Sequence, residues 1–293
     1  MNRRSRIISI AALVVSFAWA YSDTIRELIA TWEREPDYSH GFLVVPFALG
    51  FLWLRRNDLP KISPVPNAWG IGLIVFSVVF RWIGLRYAFD SFDGYSMIIW
   101  LSGAILLMGG RQFFYWTMPA VLFLFFMVPL PFQVERLLSI PLQRIATALS
   151  CFFLQCLGQP AFAEGTTILL GTHELHVEQA CSGMRIFVGT FALAFAYLIA
   201  SRRELWEQAL LLCCVVPIAL MANASRITIT GLLYRYATDS ETAQKFNHDS
   251  AGWVMILIAA TLFAICQLYL VRLVRQVEVM RLDDLVTRNR VDA

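Results

Sequence analysis

The segment Val177 to Phe187 reads VEQACSGMRIF. It places a thiol, a carboxylate and a guanidinium at the mouth of an apolar run. That run, Met184 to Ala200, predicts a helix, so Cys181, Ser182 and Gly183 fall at its start. Unpaired backbone N–H groups and the positive end of a helix lower the pKa of a thiol there. Arg185 adds a second cation. A guanidinium at mid-helix in lipid costs about 2.5–3.5 kcal/mol, so Arg185 is expected to face a polar partner, with Glu178 the local candidate. A thiolate that attacks a carbonyl needs a donor for the oxyanion and a proton carrier for the leaving group. The chain supplies one of each further on. Met221-Ala-Asn-Ala-Ser-Arg226 closes the next apolar run and carries Asn223 and Arg226. Lys245-Phe-Asn-His-Asp-Ser-Ala-Gly252 precedes the last run and carries His248. Taken singly these have plainer readings: a helix-start cysteine, an interfacial arginine, a loop histidine. Taken together they form a nucleophile, an oxyanion donor and an acid–base from three consecutive spans that end on one side.

The elements that must deliver them are membrane helices. Of 293 residues, 58% are hydrophobic and 15% charged, where soluble domains carry roughly 25% charge. The mean hydropathy is +0.61, and several apolar runs approach the ~20 residues that cross a bilayer. The expected fold is an all-α polytopic membrane helix bundle of about eight transmembrane spans, at 7–22, 40–54, 68–84, 95–109, 114–129, 183–200, 207–222 and 251–272. The first run is expected to be a membrane anchor, because no small-x-small cleavage site follows it. Residues 1–293 are expected to form one integral-membrane domain, with an outer-face insertion at about 130–182 and a cytoplasmic tail at 273–293. The basic pairs Arg55-Arg56 and Arg202-Arg203 directly follow apolar spans. They put the N-terminus inside and the three candidate residues at the outer face.

Two elements are expected in the insertion. Leu138, Leu142, Ile145, Leu149, Phe152 and Cys156 recur at helical spacing, with Arg136, Ser139, Gln143, Thr147 and Ser150 opposite. This predicts an amphipathic helix at the outer interface or packed on the bundle. Thr166 to Val177, around Gly171-Thr172, predicts a short β-hairpin leading to Cys181. Pro129-Leu-Pro131 is expected to end the fifth span. The six cysteines include no CxxC pair, and no disulfide framework is expected. His173 and His176 would point to opposite faces of a strand, so no metal is expected. A net charge of +3 gives no reason to expect nucleic acid.

Three blocks, Ala180-Cys-Ser-Gly-Met-Arg185, Asn223-Ala-Ser-Arg226 and His248-Asp-Ser-Ala-Gly252, resemble those of the exosortase/archaeosortase family of membrane-embedded transpeptidases. Tyr38-Ser-His-Gly-Phe-Leu-Val44 is similar to a further family segment, which brings in His40. The likeness runs from about residue 36 to 272. It implies a cysteine protease and transpeptidase with Cys181 as nucleophile and Arg226 and His248 completing the triad. It implies partners in the lipid bilayer: exported membrane proteins with a C-terminal sorting tail of a Pro-Glu-Pro-type motif, a transmembrane helix and a basic cluster. It further implies a bacterial inner membrane, a periplasmic site, a link to exopolysaccharide production, no cofactor, and an acceptor amine the sequence does not identify. Two alternatives remain at this stage. One is a non-catalytic scaffold or transporter subunit, although a transporter places ionisable groups near the midplane. The other is a purely hydrolytic intramembrane cysteine protease.

Overall fold

The structure is a computed structural model that describes residues 3–35, 38–60, 67–171, 173–177, 183–200, 205–236 and 251–273. Among them, helices α1 (Arg3–Arg34), α2 (Gly41–Leu54), α3 (Trp69–Tyr87), α4 (Ser91–Phe123) and α5 (Phe132–Cys156) precede a small sheet. Its strands are β1 (Ala161–Glu164), β2 (Thr167–Leu170) and β3 (His173–His176); α6 (Gly183–Ala200), α7 (Leu205–Tyr236) and α8 (Ala251–Leu273) follow. Five of the helices are long and apolar enough to cross a membrane, and three shorter apolar segments lie in α2, α6 and α8. The all-α polytopic bundle expected from the sequence is therefore the architecture.

Several boundaries differ from expectation, each for a physical reason. The first span was expected to end near 22, but α1 continues to Arg34. Its extra turns carry Asp23, Arg26, Glu27 and Glu33, charged residues that suit a helix leaving lipid. Instead of a loop at 110–113, a single residue separates the fourth and fifth runs. Gly110, at φ 73° and ψ −179°, breaks α4 into two helical segments. That backbone region is essentially open to glycine alone. The second segment tightens into a 3-10 turn at Leu124–Met127 and stops before Pro129-Leu-Pro131. The sheet has a strand more than the expected hairpin. β2 and β3 pair antiparallel around Gly171, and β1 pairs with the other edge of β2.

The amphipathic helix forms as α5, but turned the opposite way to that of a water-soluble protein. Thr147 and Ser150 are buried, Ser139 and Gln143 half-buried. Leu138, Ile145, Phe152 and Cys156 of the apolar stripe are exposed. Ser150 Oγ donates to the Ala146 carbonyl at 2.6 Å and to Ala224 of α7 at 3.2 Å. Small hydroxyl-bearing residues let membrane helices approach closely, while apolar side chains gain nothing by leaving lipid tails for one another.

Two ends of the bundle are defined by contacts. At one end the C-terminus of α1, the N-terminus of α2, the 124–127 turn and the start of α5 meet. At the other, Arg55 Nη1 donates to the Trp116 carbonyl at 3.1 Å and Trp116 Nε1 donates to the Arg55 carbonyl at 2.9 Å. The start of α5 lies at the first end, and its C-terminus is tied to the end of α7. Glu135 accepts from Tyr38, and Gln159, just past the helix, donates to the hydroxyl of Tyr236 at 2.7 Å.

Candidate active site

Arg226 lies 21 residues beyond Leu205 on α7, about 32 Å up the helix at 1.5 Å per residue, close to the ~30 Å depth of bilayer hydrocarbon. It is 8% exposed and Asn223 is 2% exposed. Asn223 Oδ1 is buried with no hydrogen-bond partner among the described residues. A buried acceptor left in that state costs about 1–3 kcal/mol. Ile227, next to Arg226, is fully buried in an apolar cluster with Leu154 and Cys151 of α5, Ile168 and Leu170 of β2, Leu175 of β3 and Val177. The inner face of the sheet builds this cluster, since Ile168 pairs with Leu175 and Ala161 with Leu170. Val177 is also fully buried, and its N–H donates to the Thr166 carbonyl at 2.9 Å. The chain leaving β3 toward the cysteine block therefore enters the same apolar cluster as the residue beside Arg226.

Glu178, Cys181, Ser182 and His248 lie outside the described residues. Gly183 is the first residue of α6, as the apolar run predicted, and Arg185 lies in its first turn. α6 packs against α7, and α8, which begins three residues after His248, packs against both.

His40 precedes the first residue of α2, half-buried. Its Nε2 is 3.0 Å from the Phe126 carbonyl oxygen; a carbonyl only accepts, so this nitrogen carries the hydrogen. Beside it, Trp32 Nε1 donates to the Met127 carbonyl at 2.9 Å. Tyr38 Oη donates to Glu135 Oε2 at 3.2 Å. Burial, and next the adjacent Glu135 carboxylate, push the Tyr38 hydroxyl above its usual pKa, so it stays protonated. The Tyr38-Ser-His-Gly segment thus ties α1, α2, the 124–127 turn and α5 together.

Sequence reasoning missed a second polar cluster at the same end. Arg81 of α3 donates from Nε and Nη2 to Asp93 of α4 at 3.3 and 3.1 Å. Thr24 of α1 donates to the same carboxylate at 3.2 Å. An arginine inside an apolar run, with an aspartate at the start of the next, was the available signal. A cavity of about 400 Å³ opens beside it, between α1, the start of α4 and the 128–135 segment.

The family model described as transmembrane exosortase matches residues 32–265. The chain belongs to the transmembrane exosortase family. No curated protein and no solved structure matches it. All three motif blocks and the Tyr38–Val44 segment of this exosortase fall inside the matched range. Arg226 and Asn223 occupy one buried turn of α7, at the bundle end where the chain enters α6.

Proposed function

We propose that this exosortase is a membrane cysteine transpeptidase that cleaves C-terminal sorting tails at the outer face, with Cys181 as nucleophile and Arg226 and His248 as partners. The observation that carries the reading is the burial of Arg226 beside the cluster that receives Val177. Cys181 is four residues past Val177 and two before Gly183. At 3.3–3.6 Å per residue, covalent reach keeps it within about 14 Å of the first and about 7 Å of the second. His248 is likewise three residues from the start of α8, a reach of about 11 Å. All three anchors belong to helices that pack on α7 or to the cluster beneath them.

In the proposed reaction, the Cys181 thiolate attacks the scissile carbonyl carbon and a C–S bond forms. Arg226 stabilises the oxyanion, with backbone N–H groups at Ser182 and Gly183. His248 in its imidazolium form gives its proton to the leaving amine as the C–N bond breaks. A thioester and a neutral imidazole remain. An acceptor amine, or water, gives a proton to His248 and attacks the thioester, and the C–S bond breaks to return the thiolate. Glu178, Arg185 and Asn223 are assigned to orienting these groups. Enzyme and substrate share one membrane, which raises their effective concentration and favours the bound geometry.

The test is Cys181→Ala, with the length of a coexpressed sorting-tail substrate read on a gel. Loss of processing with normal membrane insertion is expected; normal processing by the variant ends the proposal. Mass spectrometry of the new substrate C-terminus separates transfer, an adduct, from hydrolysis, a free acid.

A further inference from the structure

His40 is 141 residues from Cys181 in sequence, yet a short series of contacts joins it to the helix that Cys181 precedes. The imidazole Nε2–H is held on the Phe126 carbonyl. The ring of that same Phe126 packs on two rings of α6, Phe191 at 5.7 Å and Phe195 at 5.8 Å between centroids. Phe191 meets Phe187 at 6.1 Å, and Phe187 is one turn past Gly183. Phe123, one turn back in α4, stacks on Phe195 at 6.5 Å. The Phe126 carbonyl lies in a 3-10 turn, a geometry with weaker internal hydrogen bonds than an α-helix. Its position therefore depends on side-chain donors, and Trp32 secures the next carbonyl, that of Met127.

We propose that His40 is a positioning residue: by holding the Phe126 carbonyl it locks the Phe126 ring against α6 and sets the depth and rotation of the α6 N-terminus. This rests on the reading of Cys181 as nucleophile only for its effect on turnover. The geometric effect on the start of α6 stands independently. His40 gives and takes no proton in the reaction. What it supplies is an N–H at one place, which a glutamine side chain also offers.

The experiment uses the full chain in nanodiscs, in a form whose sole cysteine is Cys181. The rate of Cys181 alkylation by iodoacetamide is read beside kcat and KM for a synthetic sorting-tail peptide with its transmembrane helix. His40→Ala is expected to change the alkylation rate about fivefold or more, because thiolate character follows the local field. Its kcat should fall about 10²-fold, the usual penalty for ~1 Å of misplacement, with KM unchanged. His40→Gln should restore both. Phe126→Leu keeps the carbonyl and much of the apolar bulk but removes the ring, and should move both readouts as His40→Ala does; it also serves if His40→Ala fails to fold. Unchanged alkylation in Phe126→Leu, no rescue by His40→Gln, or a change confined to KM would each overturn the proposal. A peptide left uncut by the wild type counts against the transpeptidase reading, and the alkylation rates still decide the role of His40.

Discussion

Arg226 is the proposed triad member whose surroundings the structure describes, and its burial sets the magnitude of its expected contribution. A guanidinium screened from water acts on a developing oxyanion far more strongly than an exposed one. Removing one such donor typically lowers the rate by 10²–10³-fold. Arg226→Ala should therefore slow thioester formation by about 10²-fold or more, read by single-turnover kinetics. Arg226→Lys should recover part of that, because charge is kept but the planar fork is lost. Tyr38 gives a pH prediction. Its pKa is raised in the folded chain, so the stability it contributes is complete below the ordinary tyrosine value of 10.0 and is lost as pH rises above it. Above that value the unfolded phenol ionises while the folded one does not. Tyr38→Phe should accordingly flatten the decline of Tm in detergent between about pH 10 and 12. An equal slope in both proteins would contradict the assignment. The run read as closing at Arg226 continues as α7 to Tyr236, because Ile227, Ile229, Leu232 and Leu233 extend it; only the depth of Arg226 was legible in the sequence. The partner of His40 was not, because it is a backbone carbonyl 86 residues away, and carbonyls leave no mark on residue type.

The helices were legible wherever apolar runs are long, and their details failed where lipid reverses the rules of water. The spacing of Leu138, Ile145 and Phe152 gave the correct helix for α5, but these three face outward while Thr147 and Ser150 are buried, Ser150 donating to α7. The Gly110 break was hidden because Arg111, just after it, reads as a cytoplasmic loop residue. Gly110→Ala places a side chain in a backbone region costing about 1–3 kcal/mol, and should lower Tm without moving other elements. The α3–α4 crossing is similarly specific. A Cβ at Gly70 would lie 2.5 Å from the Gly103 carbonyl oxygen, and one at Gly103 would lie 2.8 Å from the Gly70 carbonyl oxygen. Gly103→Val should therefore force the helices apart at a cost of about 1–3 kcal/mol, seen as a drop in Tm or in membrane-extracted yield. An unchanged Tm for either variant would remove the corresponding contact from the account.

At the scale of the molecule, the end that gathers Tyr38, His40, the sheet and Arg226 is separated from the end marked by Arg55 and Trp116. We propose, from the basic residues after the apolar runs, that the second end faces the cytoplasm. Single cysteines at Glu164 and Arg111, in a chain otherwise free of cysteine, test this in intact cells. An impermeant maleimide should label the first and spare the second; the reverse pattern would invert the topology and put the proposed chemistry on the wrong side. The central claim is covalent chemistry at the sulfur of Cys181, and it is tested most directly by acid-quenching the wild-type enzyme at early times after mixing with a sorting-tail peptide and no acceptor amine. Intact mass spectrometry should show an adduct of the peptide's N-terminal fragment, mapped to Cys181 and released by hydroxylamine, at a level lost in Cys181→Ala. Processed peptide with no adduct under any quench, or an adduct on another residue, would contradict the account.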